Sequence, residues 1–278
     1  MDKIGRELPL GRAVTYPAHY DAALLFPIER SEARQLIGHR GHTMPFIGWD
    51  LWNAYEMSWL NAGGLPRVAI LRVRVPCQSA RIIESKSFKL YLNGFNQTRF
   101  NSANEVLARL REDLGQAAGI PVDVELVTAA GMHTESIREF DGIDLDLNDH
   151  VTIDTYEPHA AILSLAKNGT HVAESVFSRL LKSNCPVTGQ PDWACIQIAY
   201  RGRKIDHEAL LRYVVSFRQH SGFHEHCVER IFMDIMTECR PESLSVFARY
   251  TRRGGLDISP WRATPDMQPP NFARSARQ

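Results

Sequence analysis

Four short stretches carry residue types that could do chemistry. Cys185 lies in LKSNCPVTGQPDW, a thiol on a turn stiffened by Pro186 and Pro191, with Asp192 seven positions on. Loops held on a rigid scaffold commonly display catalytic groups. A carboxyl folded back toward a thiol can take its proton and later return one to a nitrogen. Taken alone, the pattern reads as an unreactive loop thiol, and Cys195 and Cys239 sit in apolar stretches like buried structural cysteines. The second stretch is Ile83-Glu84-Ser85-Lys86-Ser87. Here Ser85 could cap a helix and Glu84 could serve its positive end. The same carboxylate could instead accept two N–H groups from a purine-like ring edge, with Lys86 near a phosphate. The third is Phe223-His224-Glu225-His226-Cys227, in which His224 and Cys227 share one helix face. Two ligands do not make a zinc site, and no CxxC or HExxH accompanies them. The fourth, RRGGLD from Arg252 to Asp257, sets two guanidiniums beside a glycine turn with free backbone N–H groups. On pattern alone it reads as a plain hairpin turn with solvated arginines.

The elements that must position these residues follow from periodicity. Strands are expected at 48–60, 66–75 and 122–127, and helices at 31–36 with Ser31 as cap, 86–93 and 103–114. Ala62-Gly63-Gly64-Leu65 reads as a hairpin turn. The order recurs in the second half, with strands at 172–181 and 193–200, helices at 207–217 and 224–236, and closing strands at 244–250 and 256–261. Such repetition points to a duplicated module. It gives an N-terminal module over 1–130, a connector over 131–169 and a C-terminal module over 170–278. Glu84 and the His224–Glu225 pair are expected at equivalent helix starts of the two modules. The first forty residues, with Pro9, Pro17 and Pro27, read as loop-like. The Asp-rich DGIDLDLNDH of the connector reads as a solvated loop, since it lacks the EF-hand ligand pattern.

Composition narrows the class. Of 278 residues, 44% are hydrophobic and 23% charged, the balance of a globular protein. Lys plus Arg equals Asp plus Glu at 32 each, which argues against a general nucleic-acid surface. The N-terminus carries charge where a secretory signal would need an uninterrupted apolar core, and no apolar stretch is long enough to span a membrane. Five cysteines without tight spacing do not form a disulfide framework, so a cytoplasmic chain with reduced thiols is expected. No GxGxxG follows an expected strand, which speaks against a Rossmann dinucleotide site.

Together, ESKSFKLYLNGFNQT (Glu84 to Thr98), SNCPVTGQPDWA, FHEHCVE and RRGGLDISP resemble the long, two-module form of the QueF-type 7-cyano-7-deazaguanine reductases, over nearly the whole chain. The resemblance implies an α+β tunnelling fold, with tandem ββααββ-type modules, antiparallel sheets and helices on one face. It implies Cys185 as nucleophile and Asp192 as proton donor and acceptor; His224, expected beside the substrate, could donate a further proton. Ile83, Glu84, Ser85, His224 and Glu225 would bind the deazaguanine. Ser85, Lys86, Arg253 and Gly254 would touch NADPH, the co-substrate, with no metal. The implied product serves queuosine modification of tRNA without direct nucleic-acid contact, and a homodimer is expected. The rival within this fold is a zinc-dependent cyclohydrolase, which predicts stoichiometric zinc and no NADPH oxidation.

Overall fold

A computed structural model of the chain describes residues 16–17, 19–38, 44–167, 169–271 and 273–278. Most of the charged N-terminal stretch, including Pro9, lies outside the described residues. By contact density the chain forms two compact units. One runs over Met1–Glu32, Trp49–Glu135 and Arg252–Ile258, the other over Ala33–Gly48, Ser136–Thr251 and Ser259–Gln278.

The first unit opens with strand β1 (Pro27–Glu29), after which helix α1 (Ser31–Leu36) leads the chain away. It continues with β2 (Ile47–Leu60), β3 (Pro66–Pro76), β4 (Arg81–Ile83), α2 (Ser85–Asn93), α3 (Ala103–Ala118) and β5 (Asp123–Thr128). The β2, β3 and β5 strands form an antiparallel sheet, and β1 pairs antiparallel with β4. Gly64 adopts φ +86 in the β2–β3 turn, a left-handed conformation that favours glycine. Helix α3 starts where Ser102 accepts the Glu105 N–H and stops at Gly119, φ +75. Its Val106, Leu110 and Leu114 recur at four-residue spacing, so one face packs into a core with Trp52, Leu71 and Phe88.

The second unit contains β6 (Ile143–Asp144), β7 (His171–Asn184), β8 (Pro191–Arg203), α4 (His207–Ser216), α5 (His224–Glu238), β9 (Ser243–Tyr250) and most of β10 (Leu256–Ala263). β7, β8 and β9 pair antiparallel in that order, β10 pairs with β9, and β6 adds to β7 in parallel. Every residue of β9 is buried, the polar Ser243, Ser245 and Arg249 included. Glu229 of α5 accepts from Arg34 of α1 at 2.8 and 2.9 Å and from Arg262 of β10 at 2.8 and 3.1 Å, all buried. Buried charges of this kind persist only when paired.

The architecture is the α+β arrangement that the tunnelling-fold resemblance implies, and the duplication is written into its irregularities. β2 and β7 are both 14 residues long, and each carries a register shift at the same depth, after Ala54 and after Ser178. A bulge leaves one amide without its ladder partner. In the first unit the Tyr55 N–H finds the Gly255 carbonyl at 2.9 Å. In the second the Arg179 N–H finds Asp146 Oδ2 at 2.8 Å. That contact corrects the reading of the Asp-rich segment as a solvated loop. Asp146 also accepts from Ser178 Oγ at 2.6 Å, Asp144 pairs with Arg179 at 2.7 Å, and Leu145 between them is fully buried. The aspartates dock the segment against β7 because the bulge presents donors that need acceptors.

Candidate active site

In the second unit, antiparallel pairing decides which side chains meet. Ser183 lies opposite Asp192 and Ala194 opposite Tyr250. Side chains two apart along a strand share a face, so Ser183, Asp192 and Tyr250 point the same way from three neighbouring strands. The first turn of α5 covers them. His224 Nε2 stands 3.2 Å from Asp192 Oδ2, the aspartate side chain 2% exposed and the histidine 12%. The imidazole stacks on the Tyr250 ring with centroids 3.8 Å apart and planes 6° from parallel. Cys227, one turn further along α5, is fully buried beside Ser183 and Tyr250, and that burial pushes its thiol up to about 12. Burial therefore favours the neutral thiol.

Cys185 follows β7 directly and is 5% exposed. Its N–H donates to Gln190 O at 2.9 Å and its carbonyl accepts from Gly189 N–H at 2.9 Å, with Gly189 at φ +69 closing the turn. The preceding residue ties this turn to α5. Asn184 N–H donates to His220 O at 2.8 Å, and Gly222 N–H donates to Asn184 O at 3.1 Å, a short parallel bridge that leads into His224. Lys182 Nζ closes the lattice on Asn184 Oδ1 at 2.6 Å and Arg218 O at 2.8 Å. Cys185, Asp192, His224 and the buried Glu225 thus belong to one hairpin end and the helix start zipped to it.

The first unit holds the other sequence-predicted residues. Glu84, 1% exposed, is the N-cap of α2, a role the sequence reading offered to Ser85. Its carboxylate accepts Lys86 N–H at 2.8 Å and Ser87 N–H at 2.7 Å, while Ser87 Oγ donates to Glu84 O at 2.7 Å. Each carboxylate oxygen offers two lone pairs, so capping uses one side of Glu84 and leaves acceptor capacity on both oxygens. Ile83 is the last residue of β4, and Glu84 N–H is fixed by Phe26 O at 2.8 Å. Gly254 and Gly255 follow Arg253 with φ +58 and +73, the two-residue hairpin turn that requires both central residues left-handed. Together with Glu56, Lys89, Asn93 and Asn96 they line a cavity of about 190 Å³. A Cβ on Gly255 would land on the Glu56 carboxylate.

Comparison with known proteins decides the family. Residues 16–126 match the family described as nitrile reductase, 7-cyano-7-deazaguanine-reductase N-term, and residues 191–269 match QueF-like protein. The chain is 56% identical over 272 residues to the NADPH-dependent 7-cyano-7-deazaguanine reductase of Bordetella avium, covering 98% of each. It is 57% identical over 270 residues to that of Bordetella bronchiseptica, covering 97% of this chain and 98% of the relative. The protein of the same name from Burkholderia multivorans is 53% identical over 270 residues, with the same coverage. The chain belongs to the QueF family of nitrile reductases.

Within this QueF-family chain one sequence expectation fails. Glu84 caps the first helix of its unit's pair, whereas His224 and Glu225 open the second helix of theirs. The residue equivalent to Glu84 by helix order is Asp206, which caps α4 by accepting Ala209 N–H at 3.0 Å. His224 and Glu225 instead correspond to the start of α3. Among the described residues no group of three or more His, Cys, Asp or Glu could hold a metal ion, so His224 and Cys227 gain no third ligand. Sequence reasoning missed Tyr250, Ser183, Lys89 and Glu56. Only strand register and the Gly-Gly turn bring them beside the motifs, and no local pattern announces either.

Proposed function

We propose that this chain reduces the nitrile of 7-cyano-7-deazaguanine to the primary amine, 7-aminomethyl-7-deazaguanine, using two NADPH and a covalent thioimide on Cys185. The observation that carries this reading is the hairpin end itself. In a QueF-family chain, Cys185 sits on a turn zipped to the start of α5, and the same strand pair and helix bring Asp192 to 3.2 Å from His224. Such a set can add a thiolate to an electrophilic carbon and manage the protons that follow.

The thiol hydrogen of Cys185 passes to Asp192 as the sulfur bonds to the nitrile carbon, and Asp192 returns it to the nitrogen. The thioimide so formed holds the carbon in reach of a hydride. Bound NADPH supplies one hydride to that carbon, and a second NADPH supplies one to the imine formed when the reduced adduct expels the Cys185 thiolate. His224 gives the nitrogen a proton in these reductive steps, drawing on its contact with Asp192. Burial of the cluster keeps water from the imine, which would otherwise hydrolyse. Glu84, with the backbone of Ile83 and Ser85, binds the deazaguanine edge, as do His224 and Glu225. The groups proposed for NADPH suit its phosphates: Ser85, Lys86 and Arg253 are donors, and Gly254 brings bare backbone close. No helix among the described residues is long and apolar enough to cross a membrane. A cytoplasmic homodimer feeding queuosine modification of tRNA completes the proposal.

The test is NADPH consumption with the nitrile, wild type beside Cys185→Ala, and intact mass after nitrile alone. Two NADPH per amine, a covalent adduct in the wild type and neither in the variant are expected. Turnover by Cys185→Ala at the wild-type rate would sink the covalent route. No NADPH oxidation by the wild type, with zinc in the purified protein, would point to the hydrolytic rival.

A further inference from the structure

We infer that Tyr250 is a positioning residue for the reductive steps, its ring face setting the plane in which His224 meets Asp192. The inference rests on the reading of His224 as a proton donor. An imidazole is fixed by what its two nitrogens and two faces touch. Nε2 faces Asp192 at 3.2 Å. Nδ1 is buried and makes no hydrogen bond among the described residues. One polar contact leaves the ring free to swing about its own axis, and most metal-bound or catalytic histidines use the second nitrogen to prevent this. Here the flat contact with Tyr250, 3.8 Å and 6° from parallel, supplies the missing restraint.

Tyr250 is itself well held. It ends β9, pairs with Ala194 across β8, and is fully buried, while Thr251 N–H donates to Trp193 O at 2.8 Å just beyond it. The strand that places Asp192 and the strand that places Tyr250 are hydrogen-bonded neighbours, so carboxylate and ring face move as one body. The phenol oxygen lies beside Ser183 and Cys227 without a well-formed hydrogen bond to either. The ring, and not the hydroxyl, therefore carries the role.

Steady-state kinetics on Tyr250→Phe, Tyr250→Met, His224→Gln and the double variant His224→Gln/Tyr250→Met test this, with NADPH and the nitrile as substrates. Methionine fills much of the same space with a flexible chain but offers no flat face. Tyr250→Phe is expected to stay within about threefold of wild-type kcat. Tyr250→Met should lower kcat about tenfold with KM within about twofold, the scale of a lost aromatic pair. In the His224→Gln background it should cost nothing further, because the ring it positions is gone. A loss of general packing would instead carry over undiminished into that background and would overturn the inference. So would wild-type kcat in Tyr250→Met, provided His224→Gln is slow. His224→Gln at the wild-type rate would sink the proton-donor reading and take this inference with it, so the two failures are told apart by that one variant.

Discussion

At the residue scale, a side chain that serves the backbone can keep acceptor capacity for the proposed ligand. Glu84 is the clearest case. Its oxygens satisfy two of the orphan N–H groups at the start of α2, at 2.8 and 2.7 Å, yet keep lone pairs on the other side. The sequence made the carboxylate legible as a ligand candidate through ESKSFK, but it named Ser85 as the cap, because Ser ranks above Glu at that position on propensity alone. Glu84→Gln separates the two duties. An amide can accept one N–H but presents its own NH₂ to the other, so α2 should lose about 1 kcal/mol of capping, seen as a lower melting temperature. Loss of a charged acceptor for a ring-edge donor costs about 1.5–3 kcal/mol. KM for the nitrile should therefore rise roughly 10- to 100-fold, with kcat falling far less, since the contact is made equally in ground and transition states. An unchanged KM would remove Glu84 from the substrate site.

At the element scale, the strands and helices were readable and their seams were not. Apolar alternation in PRVAILRVRV and the four-residue spacing in α3 mark those elements from the sequence. Six of the strands proved longer than expected, β7 and β8 by several residues, because polar ends such as Lys182, Ser183 and Asp192 are held by pairing and not by hydrophobicity. The bulges, and Asp146 as acceptor for one of them, left no local signature. The turn around His220 is another seam, and its chemistry is testable. His220 holds Asn184 through its carbonyl, and its ring packs edge-on to Phe217. Burial, helped by Arg230, drives the imidazole down to about 4 from the ordinary 6.5. The unfolded chain thus binds the extra proton first as pH falls, so stability is full above about 6.5 and is lost as pH drops from there through about 4. Carboxylates held low by partners, Glu174 and Asp266 among them, add their own losses further into acid. Melting temperatures should decline between pH 6.5 and 4.5, and His220→Phe should flatten that stretch. An equal slope in the variant would assign the acid sensitivity elsewhere.

At the scale of the whole molecule, the sequence conveyed the duplication and the family but not how the chain is shared between the two units. Repeated element order led to modules laid end to end, 1–130 and 170–278. The compact units instead take pieces from distant parts of the chain, and Arg252–Ile258 belongs with the first. The reason is local and physical. Asp257, buried, accepts Asn53 Nδ2 at 2.8 Å and the Tyr55 hydroxyl at 2.6 Å, and Gly255 O accepts the Tyr55 N–H at 2.9 Å. Leu256 and Ile258 stand in the same core as Trp52 and Leu71. A fragment of residues 1–130 would lose two buried aliphatic side chains, about 1.5–3 kcal/mol each. It would also strand polar groups of Asn53 and Tyr55 at about 1–3 kcal/mol each. Those losses match the 5–15 kcal/mol that holds an ordinary domain together. The fragment alone is therefore expected to melt without a cooperative transition, and the same fragment carrying residues 252–258 on a flexible linker to recover one. A sharp transition in the bare fragment, at the temperature of the linked one, would mean that the returning segment serves the glycine turn and its cavity without being needed for the first unit to fold.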